Sequence, residues 1–379
     1  MAKIMVVAGE VSGDMHAARV VREIKQLAPE TTFFGMGSTF LAKEGVRILI
    51  DPTAISTIGF FEALKNIREH LTHLKILKNS IDREKPDVIF LVDYSGFNMQ
   101  MARIASKKRI PVVNYFSPSA WVWGRWRAHW MARYNATIAS VFPMEAEVYR
   151  EVGARVKFVG HPLVDLVTVE ADEAEILAKL RLDPGRPVIG LLPGSRREEI
   201  ERLLPEMLQA AERLQAERKD YQFVLPLAAG IDRRRVADLA GNYNLTLKLV
   251  EQSTYEVMKI ACLLIVASGT ATLEAAIIGT PMIIIYQTSW STYRLGRALV
   301  RLDYIGLPNI IAGKEVVPEL LQEEATAENI YSEAAGLLDS PPALEGMRRE
   351  LKAIKDALGA PGAVRRTAEL VLREGNIGY

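Results

Sequence analysis

Two short segments in the second half of the chain have residue types that bind phosphate. Ser268-Gly269-Thr270 follows the apolar run 262–267 and precedes a helical pattern over 272–278. Free amide groups at a helix start, with the positive end of the helix dipole, bind anions. Glu274 lies about one turn into that helix, where its carboxylate could accept hydrogen bonds from a ribose. An ordinary strand–turn–helix with a solvated Glu274 is the alternative interpretation.

A second turn of this kind follows the apolar run 188–192 and reads Pro193-Gly194-Ser195-Arg196. A cation at the start of a helix opposes the dipole unless an anion is nearby, so Arg196 is predicted to contact a phosphate. The alternative is an exposed Arg196 offset by Glu198 and Glu199. Two such turns in one domain favour a diphosphate ligand. Phosphoryl transfer from ATP is not favoured, because no Walker loop occurs.

Polar residues follow two apolar runs of the first half. Asp93 comes directly after the run 87–92, and a carboxylate at the carboxyl end of a central strand can act as a general base. The run 4–8 leads into Gly9-Glu10-Val11-Ser12-Gly13-Asp14, which is typical of an active-site loop but has neither dinucleotide-binding nor nucleophile-elbow spacing. The alternative is that Asp93, Ser12 and Asp14 only cap the helices that follow.

Short apolar runs that alternate with helical patterns must position these segments. Such runs indicate parallel strands buried on both faces of a sheet. Two series of them predict an α/β fold with two doubly wound domains, joined between about Asp165 and Pro187. Ligands of such sheets bind outside the carboxyl ends of the strands. The predicted strands are 4–8, 87–92, 112–115, 137–141, 156–159, 188–192, 222–226, 245–250, 263–267 and 282–286.

The composition of the 379 residues is that of an ordinary globular protein, with a net charge of +1. This charge excludes a general electrostatic attraction to nucleic acid. The one cysteine, Cys262, lies in a predicted strand and cannot form a disulfide within the chain. His70 and His73 share a helix face without a third ligand nearby, so no metal site is predicted. His161, between Gly160 and Pro162, is interpreted as a hinge residue.

Two segments suggest contact with lipid. The segment 57–78 is amphipathic at helical spacing, and its apolar stripe includes Phe60, Phe61 and Leu64. The segment 121–130 holds four of the five tryptophans, Trp121 and Trp123 among them, beside arginines. Packing of both segments on a sheet is the alternative. No apolar stretch approaches the roughly 18–20 residues of a membrane span, so any membrane contact would be peripheral.

Five motifs taken together resemble the lipid-A-disaccharide synthase family of glycosyltransferases. They occur in the family's order and span nearly the whole chain. The motifs are Gly-Glu-Val-Ser-Gly-Asp at 9–14, Ser-Pro-Ser-Ala-Trp-Val-Trp at 117–123, Leu-Leu-Pro-Gly-Ser-Arg at 191–196, Ala-Ser-Gly-Thr-Ala-Thr-Leu-Glu at 267–274 and Asp-Tyr-Ile-Gly-Leu-Pro-Asn at 303–309.

The resemblance implies the GT-B fold, in which two Rossmann-like domains face a central cleft. Residues 1–165 would bind the acceptor and lipid, residues 166–345 would bind the UDP-sugar, and helices in 346–379 would cross back to the first domain. The implied reaction joins UDP-2,3-diacylglucosamine to 2,3-diacylglucosamine 1-phosphate. It forms a β(1→6) disaccharide 1-phosphate and UDP with inversion, and it needs no cofactor or metal.

Residue roles follow from the same resemblance. Asp93 matches the essential acid and would be the base, while Glu10 and Asn98 match further residues of the first domain. Donor-side residues would be Ser12, Arg196, Ser268, Gly269, Thr270, Glu274 and Asn309. One departure is Gly96, where family members often have a second acid. The family's peripheral association with the inner face of the cytoplasmic membrane is also implied, with a homodimer left open.

Two other functions compete with this one. A UDP-N-acetylglucosamine 2-epimerase-like enzyme could share the fold, but it would need neither the amphipathic helix nor the Trp cluster. A non-catalytic, nucleotide-dependent membrane adaptor would keep the phosphate turns but would not need Asp93.

Overall fold

The apolar runs of the first half form a seven-stranded parallel sheet in the order β3-β2-β1-β4-β5-β6-β7. The protein is seen here as a computed structural model that describes residues 1–52, 60–118, 120, 122, 124–288 and 303–378, with side chains omitted for 60–67. The strands are β1 (Lys3–Ala8), β2 (Thr32–Met36), β3 (Arg47–Ile50), β4 (Val88–Val92), β5 (Val112–Tyr115), β6 (Thr137–Ser140) and β7 (Arg155–Phe158).

Helices cover both faces of this first sheet because its strands alternate between two apolar layers. Val6 belongs to the layer that contains Ile24 of α1, whereas the adjacent Val7 belongs to the layer that contains Leu77 of α3 and Met101 of α4. The helices are α1 (Val11–Leu27), α2 (Thr39–Lys43), α3 (Phe60–Glu84), α4 (Ser95–Lys107), α5 (Trp126–Arg133) and α6 (Pro143–Glu151).

A six-stranded parallel sheet in the order β10-β9-β8-β11-β12-β13 organises the second unit, Leu163–Ala357. Its strands are β8 (Val188–Leu192), β9 (Gln222–Leu227), β10 (Leu247–Glu251), β11 (Ala261–Ala267), β12 (Met282–Tyr286) and β13 (Glu319–Leu321). Its helices are α7 (Leu163–Leu166), α8 (Glu173–Lys179), α9 (Arg197–Glu217), α10 (Arg233–Ala240), α11 (Thr254–Ile260), α12 (Thr270–Ile278), α13 (Leu307–Ala312), α14 (Ala327–Leu338) and α15 (Pro341–Ala357). The predicted pair of doubly wound α/β domains is thus confirmed.

The last helix, α16 (Ala363–Glu374), belongs to the first unit, which comprises Met1–Pro162 and Leu358–Tyr379. The helical pattern over 345–374 is broken where Gly359 and Gly362 adopt left-handed φ values of 93° and 98° on either side of Pro361. A glycine adopts this conformation without steric cost, and proline cannot continue a helix. Beyond the break, α16 packs against α1 and buries Leu370 and Val371 in the first core.

Several elements differ from the sequence expectations. β2, β3 and β13 carry no strong strand signal; β3 and β13 are only partly buried, at the edges of their sheets. α12 begins at Thr270 rather than at Thr272. Its first residues are polar or small, so the hydrophobic period that identifies a helix only begins two residues later.

Candidate functional site

The loop after β1 and the residue after β4 meet at one edge of the first sheet. β1 pairs in parallel with β4, and Ala8 lies opposite Val92, so the residues that follow both strands come together. The Ser12 hydroxyl donates a hydrogen bond to Asp93 Oδ2 at 2.9 Å. Asp93 has a φ of 36°, a strained conformation for a residue with a side chain. The structure therefore brings the predicted base and Ser12 into contact.

Two glycines allow this close approach. A Cβ on Gly13 would lie 3.2 Å from Asp93 Cβ, and a Cβ on Gly9 would lie 2.1 Å from Tyr94 Cγ. The second distance is far below a van der Waals contact, so the Tyr94 ring occupies the space beside Gly9. The Gly-Glu-Val-Ser-Gly-Asp motif is thus shaped to fit Asp93 and Tyr94.

Glu10, in the loop after β1, interacts electrostatically with Asp93. Partial burial raises the pKa of Glu10, and the charge of Asp93 raises it further. Burial also raises the pKa of Tyr94, with a contribution from Glu10. Two carboxyl groups close enough to interact hold a proton, or another positive charge, more readily than an isolated one.

The side chains of Asn98 and Asp14 are both buried. Asn98 is buried in the first turn of α4, and within the described residues its Oδ1 accepts no hydrogen bond. Asp14 is buried too, and it accepts hydrogen bonds from the backbone N–H groups of Ser38 and Phe40 at 2.7 and 2.8 Å. Asp14 is therefore a capping residue, but it stabilises the start of α2 and not of the helix directly after β1.

Both predicted phosphate turns line one cavity of about 620 Å³ in the second unit. It lies at the carboxyl ends of β8, β9 and β11, where parallel sheets bind ligands. The predicted residues Arg196, Ser268, Gly269, Thr270 and Glu274 all line it. The turn signals were sufficient to find these residues because each follows a strongly apolar strand.

The two helix starts in this cavity differ in how their amide groups are used. At α9, Glu199 Oε2 accepts from the N–H groups of Ser195 and Arg196, both at 3.3 Å, and Glu199 Oε1 accepts from Arg196 Nη1 at 2.8 Å. At α12, the N-cap residue is Gly269, so no side chain caps the helix. A ligand anion can approach α12 freely, whereas at α9 it competes with the Glu199 carboxylate.

Glu274 projects from the second turn of α12 and is half-buried. Tyr255 Oη, on α11, donates a hydrogen bond to Glu274 Oε1 at 2.8 Å. Burial raises the pKa of Glu274, and the hydrogen bond from Tyr255 opposes that change. Tyr255 and Thr254 line the cavity but were not predicted. The sequence signal that could have identified them is the Ser-Thr pair at 253–254, which is typical of a helix start and closely follows β10.

Asn309 is fully buried, and its side-chain amide is engaged within its own unit. Nδ2 donates to Val317 O and to Glu319 Oε1, both at 2.8 Å, while Oδ1 accepts from the N–H groups of Val316 and Val317. Glu319 also accepts from the N–H groups of Ile305 and Gly306. Asn309 and Glu319 therefore fix the loop before α13 against β13.

His161 is buried between aromatic rings at the end of β7. Its ring centroid lies 5.9 Å from that of Phe116 and 4.9 Å from that of Phe142. Burial lowers the pKa of His161 to about 3, and nearby His16 contributes. At neutral pH the imidazole is therefore uncharged. Within the described ranges, no group of three or more His, Cys, Asp or Glu side chains could hold a metal ion.

Of the residues predicted to contact lipid, the side chains of Phe60, Phe61 and Leu64 and all of Trp121 and Trp123 lie outside the described residues. The neighbouring helix α5 exposes 54% of Trp126 and 38% of Trp130. Each ring is paired with an arginine: Arg127 Cζ lies 5.7 Å from the Trp126 centroid, and Arg133 Cζ lies 5.2 Å from the Trp130 centroid. Among the described helices, none is long and apolar enough to cross a membrane.

Solved structures with low sequence identity share this fold. UDP-GlcNAc 2-epimerase from Neisseria meningitidis matches with a TM-score of 0.64 and 14% identity, covering 98% of this chain and 100% of the other. The glycotransferase of kitacinnamycin matches with a TM-score of 0.61 and 14% identity, covering 98% and 99%. Because both an epimerase and a glycosyltransferase match, the fold does not separate the two activities.

Sequence comparison separates them. The family model for lipid-A-disaccharide synthetase matches residues 4–356. The lipid-A-disaccharide synthase of Geobacter sulfurreducens is 41% identical over 370 residues, covering 98% of this chain and 96% of the relative. That of Nitrosococcus oceani is 38% identical over 369 residues, covering 97% and 95%. Neither the epimerase nor the adaptor alternative is favoured by these matches. The chain belongs to the lipid-A-disaccharide synthase family, and it is a glycosyltransferase of lipid A biosynthesis with a GT-B-like fold.

Proposed function

We propose that the enzyme transfers the sugar of UDP-2,3-diacylglucosamine to 2,3-diacylglucosamine 1-phosphate. The acceptor's 6-hydroxyl oxygen bonds to the anomeric carbon as the bond to the diphosphate breaks, and UDP leaves with that electron pair. The products are the β(1→6) disaccharide 1-phosphate and UDP, with inversion. The observation that carries this proposal is the cavity lined by both phosphate turns in a chain of this family.

In this proposal the second unit binds the nucleotide. The amide groups at the start of α12, which no side chain caps, and the Arg196 guanidinium stabilise the charge that develops on the leaving diphosphate. Ser268, Gly269 and Thr270 surround that group, and Glu274 accepts hydrogen bonds from the ribose. Asn309 contributes by holding the loop before α13 in place, because its amide already makes four internal hydrogen bonds.

The first unit supplies the proton acceptor. Asp93 takes the proton of the 6-hydroxyl as the new bond forms. Ser12 holds Asp93 Oδ2 by its hydrogen bond, which leaves Oδ1 for the substrate. Glu10 sets the local charge. Asn98 is buried in the first turn of α4, so it supports the start of that helix next to Asp93 and does not contact the acceptor directly.

A direct assay tests this reaction. The purified protein is mixed with the diacylated donor and acceptor in detergent micelles, and UDP and the disaccharide phosphate are measured. Donor without acceptor serves as the control for hydrolysis, and UDP-N-acetylglucosamine alone tests for epimerisation. We expect product only with both lipids. Failure to form product in any lipid presentation would refute the proposal.

We further propose that the first unit binds the surface of the membrane that holds these acylated substrates. Tryptophans beside arginines suit the interface between lipid headgroups and hydrocarbon, and Trp126 and Trp130 on α5 are exposed in that pairing. Phe60, Phe61 and Leu64 on the amphipathic helix α3, together with Trp121 and Trp123, would extend the contact with the membrane. The enzyme would then act as a peripheral protein at the inner face of the cytoplasmic membrane.

Vesicle binding tests this contact. Trp126→Ser with Trp130→Ser should reduce sedimentation with phosphatidylglycerol vesicles and leave the melting temperature unchanged. Phe40→Ser is the matched control, since Phe40 is an exposed aromatic residue on α2 of the same unit. Undiminished vesicle binding by the double variant would contradict a role for α5. Polar substitution of Phe60, Phe61 and Leu64 should also weaken binding, and loss of folding instead would favour a core role.

A further inference from the structure

Tyr255 occupies the second position of α11 and contacts a predicted ligand residue on the neighbouring helix α12. Its hydroxyl donates to Glu274 Oε1 at 2.8 Å. Tyr255 lines the nucleotide cavity and also a second cavity of about 590 Å³, bounded by residues 168–171 and 252–256. Tyr255 is therefore part of the wall of both cavities, where it can act on a ligand bound in the first.

The helix that carries Tyr255 is held against its surroundings at its other end. Thr280 Oγ1, just after α12, donates to Met258 O on α11 at 2.6 Å. Lys259 Nζ donates to Val169 O at 3.1 Å and to Ala171 O at 2.7 Å. These hydrogen bonds join α11 to both α12 and the segment before α8, and so they hold the helix that presents the Tyr255 hydroxyl to Glu274.

The bond has a chemical consequence for Glu274. A carboxylate has about four acceptor positions, and the Tyr255 hydroxyl occupies one of them on Oε1. The remaining positions can accept hydroxyl groups of a ligand if the carboxylate stays ionised and keeps its orientation. A hydrogen bond to the charged form favours both conditions in a half-buried site where burial opposes ionisation.

We propose that Tyr255 is a positioning residue for the donor: it holds the Glu274 carboxylate in the orientation that accepts the ribose hydroxyls of the UDP-sugar. The inference rests on the proposed function, because it takes a uridine nucleotide as the ligand. Tyr255 acts through Glu274, so its effect should disappear when Glu274 cannot make the contact. A purely structural Tyr255 would instead change the stability of the protein and leave nucleotide affinity alone.

The first measurement compares Tyr255→Phe with the wild-type enzyme. We expect the Kd for UDP, by isothermal titration calorimetry, and the KM for the donor to rise about tenfold, as for one lost hydrogen bond to a charged group. The KM for the acceptor and the melting temperature should not change. Tyr243→Phe is the control, because Tyr243 lies outside both cavities and its hydroxyl makes no hydrogen bond in the described part of the chain.

A double-mutant cycle then tests whether Tyr255 acts through Glu274. In a Glu274→Ala background, Tyr255→Phe should change the Kd for UDP by less than twofold. If Glu274→Ala does not fold, Glu274→Gln replaces it, and Tyr255→Phe should then cost less than in the wild-type background. If the two substitutions raised the Kd for UDP independently, so that their effects multiplied in the double variant, the inference would be overturned. Wild-type affinity of Tyr255→Phe for UDP would overturn it as well. A wild-type enzyme that binds no UDP would instead refute the proposed function.

Discussion

Ser12 and Asp93, 81 residues apart in the chain, are joined by a hydrogen bond of 2.9 Å at the carboxyl edge of the first sheet. The contact depends on the register of β1 with β4 and on the absence of a side chain at Gly13, which lies against Asp93. It directs one oxygen of Asp93 towards the protein. In the proposed mechanism the other oxygen accepts the proton of the substrate hydroxyl, as a general base does.

Asp93→Asn should therefore remove the proposed base without disturbing the proposed nucleotide site. We expect kcat to fall by about 10²–10⁴, the range for loss of a general base, with the Kd for UDP unchanged. Asp87→Asn is the control, because Asp87 lies at the other end of β4, where its carboxylate accepts from Lys3 N. Near-normal turnover by Asp93→Asn in a disaccharide assay would show that another group accepts the proton.

Arg196 and its neighbour Arg197 offer a matched pair of substitutions. Arg196 lines the cavity proposed to bind the nucleotide, whereas Arg197 forms an ion pair with Glu201 along α9 outside it. Arg196→Ala should raise the Kd for UDP by about tenfold or more, as for a lost charge-assisted contact, and Arg197→Ala should not. Equal effects of the two substitutions would argue for a general influence of positive charge.

Glu199 should weaken the binding of UDP, whereas Arg196 should strengthen it. Its carboxylate occupies the amide groups and the guanidinium that a phosphate would use. Glu199→Gln removes this competing charge, and the exposed ion pair that is lost stabilises the fold little. We expect UDP to bind a few times more tightly, most visibly at low ionic strength. Calorimetric titration that shows weaker binding would instead make Glu199 a support for Arg196.

Gly9 and Gly96 should respond differently to alanine. A Cβ at Gly9 would collide with the Tyr94 ring, whereas a Cβ at Gly96 meets no atom within 4 Å. Gly9→Ala should lower both the melting temperature and turnover. Gly96→Ala should keep turnover and stabilise α4 by about 0.5–1 kcal/mol. A destabilised Gly96→Ala protein would show that this position needs glycine for another reason.

Glu145 should make the first unit less stable as the pH rises. It is buried near the start of α6, where burial raises its pKa from 4.5 to about 7 despite hydrogen bonds from Ser140 and Val141. The folded state therefore holds the proton more tightly than the unfolded chain. This contribution to stability is complete below the unfolded pKa of 4.5 and is lost as the pH rises to about 7.

Thermal unfolding of Glu145→Gln at several pH values checks this prediction. Glutamine stays neutral, and its carbonyl oxygen can accept the same hydrogen bonds. The variant should gain melting temperature relative to the wild type between about pH 5 and pH 8. Glu147→Gln, an exposed change on the same helix, should show no such trend. A constant difference across this range would place the pKa of Glu145 outside it.

The sequence was most informative where candidate site residues lie directly after an apolar strand. Asp93, Arg196 and the segment 268–270 were predicted because a buried strand is easy to identify and ligands bind at its carboxyl end. Tyr255 was missed because its importance depends on a contact with Glu274, 19 residues away. No local pattern encodes such a contact, since it arises only when α11 packs on α12.

The remaining differences between the sequence predictions and the structure concern the strands at the sheet edges and the hydrogen-bond partners of a buried side chain. β3 and β13 lie at the ends of their sheets, so they need fewer apolar residues than central strands and give a weaker pattern. Asn309 could be placed in a functional motif, yet its four hydrogen bonds to residues 316–319 could not be foreseen. A buried amide finds its partners through the tertiary fold and not through spacing in the sequence.

The return of α16 to the first unit has a consequence for synthesis of the protein. The ribosome makes the chain from residue 1 onwards, and the whole second unit, Leu163–Ala357, is made before the helix that completes the first core. Until then α1 lacks one of its packing partners, the helix that adds Leu370 and Val371 to the first core. The second unit can therefore fold first during translation, and the half that holds Asp93 becomes complete last.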